Sequence, residues 1–275
     1  MKWGNEDIET LKRLWPIHRG KMRAIATEMG RTRGSIDGKS RILGLQFQHN
    51  ADNMPLVREH PAVVEGRTIY PARVLPPYNV LKSGDNQRKI GARVTKGAWK
   101  GMPIYTLTLE ERATCPRSCR QWLSCYGNNM GLAKRYQHGP DLERVLAREL
   151  SALQVRHPAG FVVRLHILGD FYSLQYVEFW GNALDAFPGL RIFGYTHHQR
   201  GRKMGDAIAA VREEFPQRFM VRHSDAYSGF RTAVIRDAKD AGDRIICPAQ
   251  TGRTTNCGTC ALCWGSPRAI AFLRH

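Results

Sequence analysis

The sequence predicts an α/β protein in two parts: a small three-helix head over residues 1–48, and from residue 101 onward a larger domain with a parallel sheet. Three observations carry that expectation. Residues 1–48 show apolar positions at helical spacing, punctuated by Gly and Pro. Residues 49–100 lose the periodicity and become Pro-rich (PAVV, YPARVLPPYNV), which reads as a linker merging into extended segments. After residue 101, short apolar runs alternate with amphipathic stretches, the pattern of strand–helix units.

In the head, Asn5 is placed to cap a first helix that carries Ile8, Leu11, Leu14 and Trp15 on one face, with Glu6, Asp7 and Glu9 in its first turn. Pro16 and Gly20 stop it. A second helix holds Ile25, Ala26 and Met29 and ends at Gly30. The stretch RTRGSIDGKSRILGL opens a third, with Ile36, Ile42 and Leu43 as buried positions. Arg31, Arg33, Lys39 and Arg41 are left for the surface. A helix, a tight turn and a basic helix form the helix-turn-helix pattern, in which the last helix enters the major groove of duplex DNA.

In the larger domain, PIYTLTL is a strand and DLERVLARELSALQVRH a helix started by Pro140. FVVRLHIL, LRIFGYTH, RFMVRHS, TAVIRD and RIICP follow as strands. SLQYVEFWGNALDAF and GRKMGDAIAAVREEF are the intervening helices. Such alternation puts helices outside a parallel sheet and the functional site at the carboxyl ends of the strands; an open sheet and a full or partial barrel give the same pattern.

With 42% hydrophobic residues in 275, the chain can bury a core. No run approaches the roughly 18 apolar residues of a membrane span, and the acidic, amphipathic start is unlike a secretory signal. The expectation is a cytoplasmic protein with reduced cysteines and no membrane partner. A formal charge of +18, from 42 Lys and Arg against 24 Asp and Glu, points to a nucleic-acid partner, with duplex DNA first.

The seven cysteines fall in two groups: Cys115, Cys119 and Cys125, then Cys247, Cys257, Cys260 and Cys263. An odd count does not close into disulfides. Thiolates at close spacing are soft ligands for zinc or iron–sulfur iron. The second group supplies four, a set closed by protein. Its three clustered thiols with one distant partner differ from the paired knuckles of a zinc ribbon and favour a 4Fe–4S centre, with zinc as the alternative. The first group supplies three, which leaves one iron of a four-iron cluster open; for zinc, His138 or His166 is the candidate fourth ligand.

The head resembles Myb/SANT-like and GcrA-like helix-turn-helix proteins through Trp3, Leu11, the turn from Ile25 to Gly30, and Ser35, Lys39 and Arg41. Residues 101–275 resemble the gene product 88 family of phage proteins through Cys125-Tyr126, the RLHILGDFYS segment, the YTH strand and the terminal CGTCALCWGSPRAIAFLRH. A more distant resemblance is to radical S-adenosylmethionine (SAM) enzymes. They place three cluster cysteines after the first strand of a partial barrel and a Gly-Gly-Glu-like turn after the second, which holds the SAM amino group. Here the spacing is C-x3-C-x5-C rather than C-x3-C-x2-C, and the turn is Leu168-Gly169-Asp170.

That resemblance implies two 4Fe–4S clusters, SAM as a further cofactor, and Gly169 and Asp170 at the cofactor. His166 is a candidate pocket residue by strand parity, and Tyr195 and His197 share a strand face that can line the site with Asp170. His223 and Ser224 are weaker candidates. No phosphate loop and no G-x-S-x-G elbow is present. Two functions are open at this point. One is a radical-SAM-like enzyme acting on or at nucleic acid, delivered by a DNA-binding head. The other is a non-catalytic DNA-binding regulator or replication accessory whose metal sites are structural or redox-sensing.

Overall fold

A computed structural model describes residues 3–18, 22–43, 45 and 55–274. The chain divides into two compact units, residues 1–55 with 275, and residues 56–274. In the first, α1 (Asn5–Ile17), α2 (Met22–Glu28) and α3 (Arg33–Ile42) enclose Leu11, Leu14, Trp15, Ile25, Ala26 and Ile36.

Three local details differ from the sequence reading. Asn5 is the first helical residue rather than the cap, and the Asp7 carboxylate accepts from the Gly4 N–H at 2.9 Å, like the returning half of a capping box. The helix passes through Pro16 to Ile17, since a proline this near the end costs one hydrogen bond. Ile42, expected inside, is 78% exposed. The inner line of α3 runs through Ile36 and Ser40, four residues apart, which turns position 42 outward. Gly30 ends α2 as expected: it sits at φ 60°, and the Arg31 N–H returns to the Ala26 carbonyl at 2.9 Å.

In the second unit, residues 56–100 are part of the domain rather than a linker. They contain α4 (Pro61–Glu65), β1 (Val74–Leu75) and β2 (Lys82–Ser83), and Trp99 stacks on Trp264 with ring centroids 5.2 Å apart. Proline and glycine remove helical periodicity here without removing burial: Val80, Ile90 and Val94 are all in the core.

The remaining elements are β3 (Ile104–Thr106), β4 (Arg135–Tyr136), α5 (Pro140–Arg156), β5 (Phe161–Leu165), α6 (Leu174–Ala186), β6 (Leu190–Thr196), α7 (Lys203–Glu214), β7 (Phe219–Ser224), β8 (Arg231–Ile235), β9 (Ile245–Ile246), α8 (Cys257–Cys260), α9 (Leu262–Gly265) and β10 (Ile270–Leu273). The main sheet has eight strands in the order β2-β3-β5-β6-β7-β8-β10-β9, and every pairing in it except β2–β3 is parallel. The fold is therefore mixed α/β with a parallel-rich sheet. β10 was not foreseen; it enters between β8 and β9, with Ile270 and Ala271 fully buried.

From β3 to β7 the parallel strands of the sheet follow one another in chain order. Right-handed crossovers in an unreversed order put their helices on one face. Leu142, Leu146 and Leu150 of α5, Tyr176 and Trp180 of α6, and Ile208 of α7 pack on Phe161, Val163, Leu165, Ile192 and Val221. The alternate strand residues Val162, Phe193, Tyr195 and Met220 face the other way. There they meet the C-terminal segment, with Ala261, Cys263, Trp264 and Ile270. One face is thus closed by helices and the other by the cysteine-rich tail. Among the described residues, no helix is long and apolar enough to cross a membrane.

Candidate metal centres

The first cysteine group lies in the long connection after β3, and successive turns coil it. Cys115 N–H bonds the Arg112 carbonyl, Cys119 N–H the Pro116 carbonyl, and Asn128 N–H the Cys125 carbonyl. Two buried arginines pin the coil. Arg112 donates to the Trp122 carbonyl at 2.9 Å and to Asn128 Oδ1 at 2.6 Å. Arg135 is paired with Glu111 at 2.6 Å and also reaches the carbonyls of Gly127, Met130 and Ala133. Gly127 is required there, because a Cβ would stand 2.5 Å from Glu111 Oε1.

Asp170 is buried directly after the loop that follows β5. Its carboxylate accepts the Phe171 N–H and the His197 N–H, each at 2.8 Å, which ties the ends of β5 and β6 together. Its own N–H donates to Thr114 Oγ1 at 3.1 Å, beside Cys115. Gly169 has φ 87°, and a Cβ there would lie 2.5 Å from the same Thr114 oxygen, so the turn and the cysteine coil are packed backbone to side chain. Burial pushes the Cys115 thiol well above its usual pKa, reinforced by the negative charge of Asp170 and then by Cys125 and Cys119. Burial, then Glu111, lifts Cys125 to about 11. The three thiols and Asp170 therefore share one neighbourhood.

His197 completes this neighbourhood. Burial disfavours its charged form, but hydrogen bonds to Asp225 and to Cys119 outweigh that and raise its pKa to about 10. The His197–Asp225 distance is 3.2 Å. Asp225, at the end of β7, is held below the usual carboxylate range chiefly by that hydrogen bond. His223 is buried and points Nδ1 at the His198 carbonyl, 2.8 Å away. On its outer side the coil borders a cleft of about 540 Å³, where Cys115 and His138 meet Arg67, Glu110, Arg112 and Arg117. Arg67 and Glu110 form a two-pronged pair, at 2.7 and 3.1 Å.

The second group converges from two segments. Cys247 follows β9; Cys257, Cys260 and Cys263 lie on the short turns α8 and α9, and all four line one small pocket with Trp264 and Ile270. Asn256 caps the first turn by accepting the Thr259 N–H at 2.9 Å. Gly258 admits the Arg93 carbonyl, which would be 2.2 Å from a Cβ. Tyr195 Oη lies 2.8 Å from Cys263 Sγ. Tyr195 and His197 thus serve different cysteine groups, although they were expected to line one site: β6 ends at Thr196, and the chain turns before His197.

His166 is not at either group. Its ring is buried against Phe171 and Tyr176, with Nε2 3.1 Å from Tyr176 Oη, so it belongs to the core beneath α6. In the head, Arg31 is paired with Asp7 at 2.7 Å and lies over the Trp3 ring at 4.3 Å. Lys39 lies 5.8 Å from the same ring, Arg33 is exposed, and the Arg41 side chain falls outside the described residues. Sequence reasoning did not single out Thr114, Arg112, Arg164 or Arg222, because neither a lone threonine nor a buried arginine has a sequence signature of its own.

None of the seven cysteines is in a disulfide. Among the described residues, no group of three or more His, Cys, Asp or Glu side chains is spaced to hold a single metal ion. The donor chemistry nevertheless suits thiolate-bound metal: one group supplies three soft donors beside Asp170 and His197, and the other supplies four that line a single small pocket.

No curated protein and no solved structure matches the chain. A family model described as gene product 88 matches residues 79–266. That span is more than half of the chain and includes both cysteine groups, and the protein therefore belongs to the gene product 88 family.

Proposed function

We propose that the protein is an iron–sulfur, radical-SAM-like enzyme that acts on or at nucleic acid and is brought there by its N-terminal head. The observation that carries the proposal is the meeting of Cys115, Cys119 and Cys125 with Asp170 and His197 at the carboxyl ends of consecutive parallel strands. The unreversed strand order and helices on one face support a partial barrel. Cys115, Cys119 and Cys125 would hold a four-iron cluster, and Cys247, Cys257, Cys260 and Cys263 a second centre. A cluster held by three thiolates supplies an open iron and the electron for SAM cleavage.

The chain's own residues set the surroundings. Asp170 fixes the β5 and β6 ends through two charge-assisted hydrogen bonds, and its Gly169 turn lets the backbone pack against Thr114. The cleft at Cys115 is the route by which a substrate would reach the cluster, and its arginines suit an anionic nucleotide. The charge of +18 supports a nucleic-acid partner, and the basic helix α3 supports a helix-turn-helix role for the head.

A second reading, a DNA-binding regulator or replication accessory with structural or redox-sensing metal, is favoured by one observation. His197, at Cys119 and backed by Asp225, could close a three-cysteine, one-histidine zinc set with a carboxylate behind the imidazole. The two separate on one experiment. Anaerobically reconstituted protein given dithionite and SAM should release 5′-deoxyadenosine and methionine. Cys119→Ala should abolish the release, and His197→Ala should retain iron at the first site. Zinc bound there and lost in His197→Ala, with no SAM cleavage, would establish the second reading instead.

A further inference from the structure

Two arginines lie inside the sheet face that carries the C-terminal thiols. Arg222 is 0% exposed and Arg164 8%. Arg222 donates to the carbonyls of Cys263 at 2.9 Å, Arg268 at 2.8 Å, Arg231 at 3.3 Å and Ser266. Arg164 donates to the His166 carbonyl at 3.0 Å and to that of Leu165, and lies 4.5 Å over the Tyr195 ring. Among the described residues, neither forms an ion pair with a carboxylate. Carbonyl oxygens satisfy the N–H groups but do not neutralise the charge, and a guanidinium does not shed its proton. An uncompensated buried charge is costly, so two of them on one sheet face, on the strands that flank β6, call for an anionic partner.

The groups within reach that can carry negative charge are the thiols. Tyr195, sandwiched under Arg164, contacts Cys263 Sγ, and Arg222 holds the Cys263 carbonyl. Cys247, Cys257 and Cys260 line the same small pocket as Cys263, so a charge held beside Cys263 faces the whole set. Four thiolates around a dication, whether Zn²⁺ or a [4Fe–4S]²⁺ core, sum to two negative charges. Two guanidinium groups balance them.

We infer that Cys247, Cys257, Cys260 and Cys263 hold their metal as a four-thiolate dianion, and that Arg164 and Arg222 are its buried counter-cations and positioning residues. The inference rests on the metal reading given above and adds the charge state of the second centre and the residues that set it.

The test uses the full chain in a Cys119→Ala background, which leaves the C-terminal set as the complete one. The protein is loaded with zinc, or with iron and sulfide, and titrated with chelator. Arg164→Met should lower metal retention about tenfold or more, the size expected when a close, desolvated charge partner is removed. Arg164→Lys should stay within about threefold of the parent, because it keeps the charge. Metal-stripped Arg164→Met should melt no lower than the stripped parent, since it no longer buries an unbalanced cation. If the parent retains metal and Arg164→Met matches it, or if Lys and Met lose metal alike, the counter-charge role is overturned while the metal site stands. A parent that retains neither metal overturns the four-thiolate reading and the inference together.

Discussion

His166 shows how a residue chosen by strand parity takes on a different role once its neighbours are known. Burial, with Arg164 adding repulsion, lowers its pKa to about 3, so the folded protein holds it neutral. The unfolded chain takes up a proton near pH 6.5 while the native state does so only near 3, so the native state loses stability as pH falls across that window and not above it. By pH 4.5 the loss from this one group should be about 2–3 kcal/mol. Denaturant melts at pH 7 and pH 4.5 should show a smaller acid penalty for His166→Gln than for the parent; equal penalties would contradict the burial argument. The seven cysteines were legible because their spacing is itself chemical information. The histidine was not, because the same alternation places a side chain under α6 or at the strand end according to where β5 stops, at Leu165.

At the scale of elements, α5, α6 and α7 were readable from periodicity and caps, since each is 12 residues or longer and buries one face. Among the strands of two to four residues, β3 and β9 were readable from the apolar runs PIYTLTL and RIICP, and the other four were not. β1, β2, β4 and β10 are too short to show alternation, and residues 56–100 hide their burial behind proline and glycine. In the head, equally basic positions part ways. Arg31 is bound to Asp7 and Trp3 and ties α1 to the turn before α3, whereas Arg33 is exposed at the start of α3. Arg33→Ala should therefore lower the slope of log K against log salt for duplex DNA by about one unit without changing the melting temperature. Arg31→Ala should lower the melting temperature. A full-length Arg33→Ala protein with an unchanged salt slope would remove Arg33 from the interface.

For the whole molecule, the two cysteine groups have different surroundings. The three-thiol group sits in a coil at the strand ends, bordered by a polar cleft. The four-thiol group fills the face opposite the helices, packed on Phe193, Trp264 and Ile270. Metal in the second group should brace the fold, because its thiols join β9 to the segment that closes the sheet and binding free energy there adds to folding. The strand–helix alternation forecast the layers, whereas the closure of the second face by residues 247–273 depended on contacts between segments distant in sequence. Metal bound at both groups is the claim on which the rest depends. The measurement that tests it is iron, zinc and acid-labile sulfide per chain, with a visible spectrum, on protein purified and reconstituted without oxygen. About eight irons and eight sulfides per chain, falling to about four of each in Cys119→Ala, are the predicted result; a folded chain that retains neither iron nor zinc at either group would contradict it.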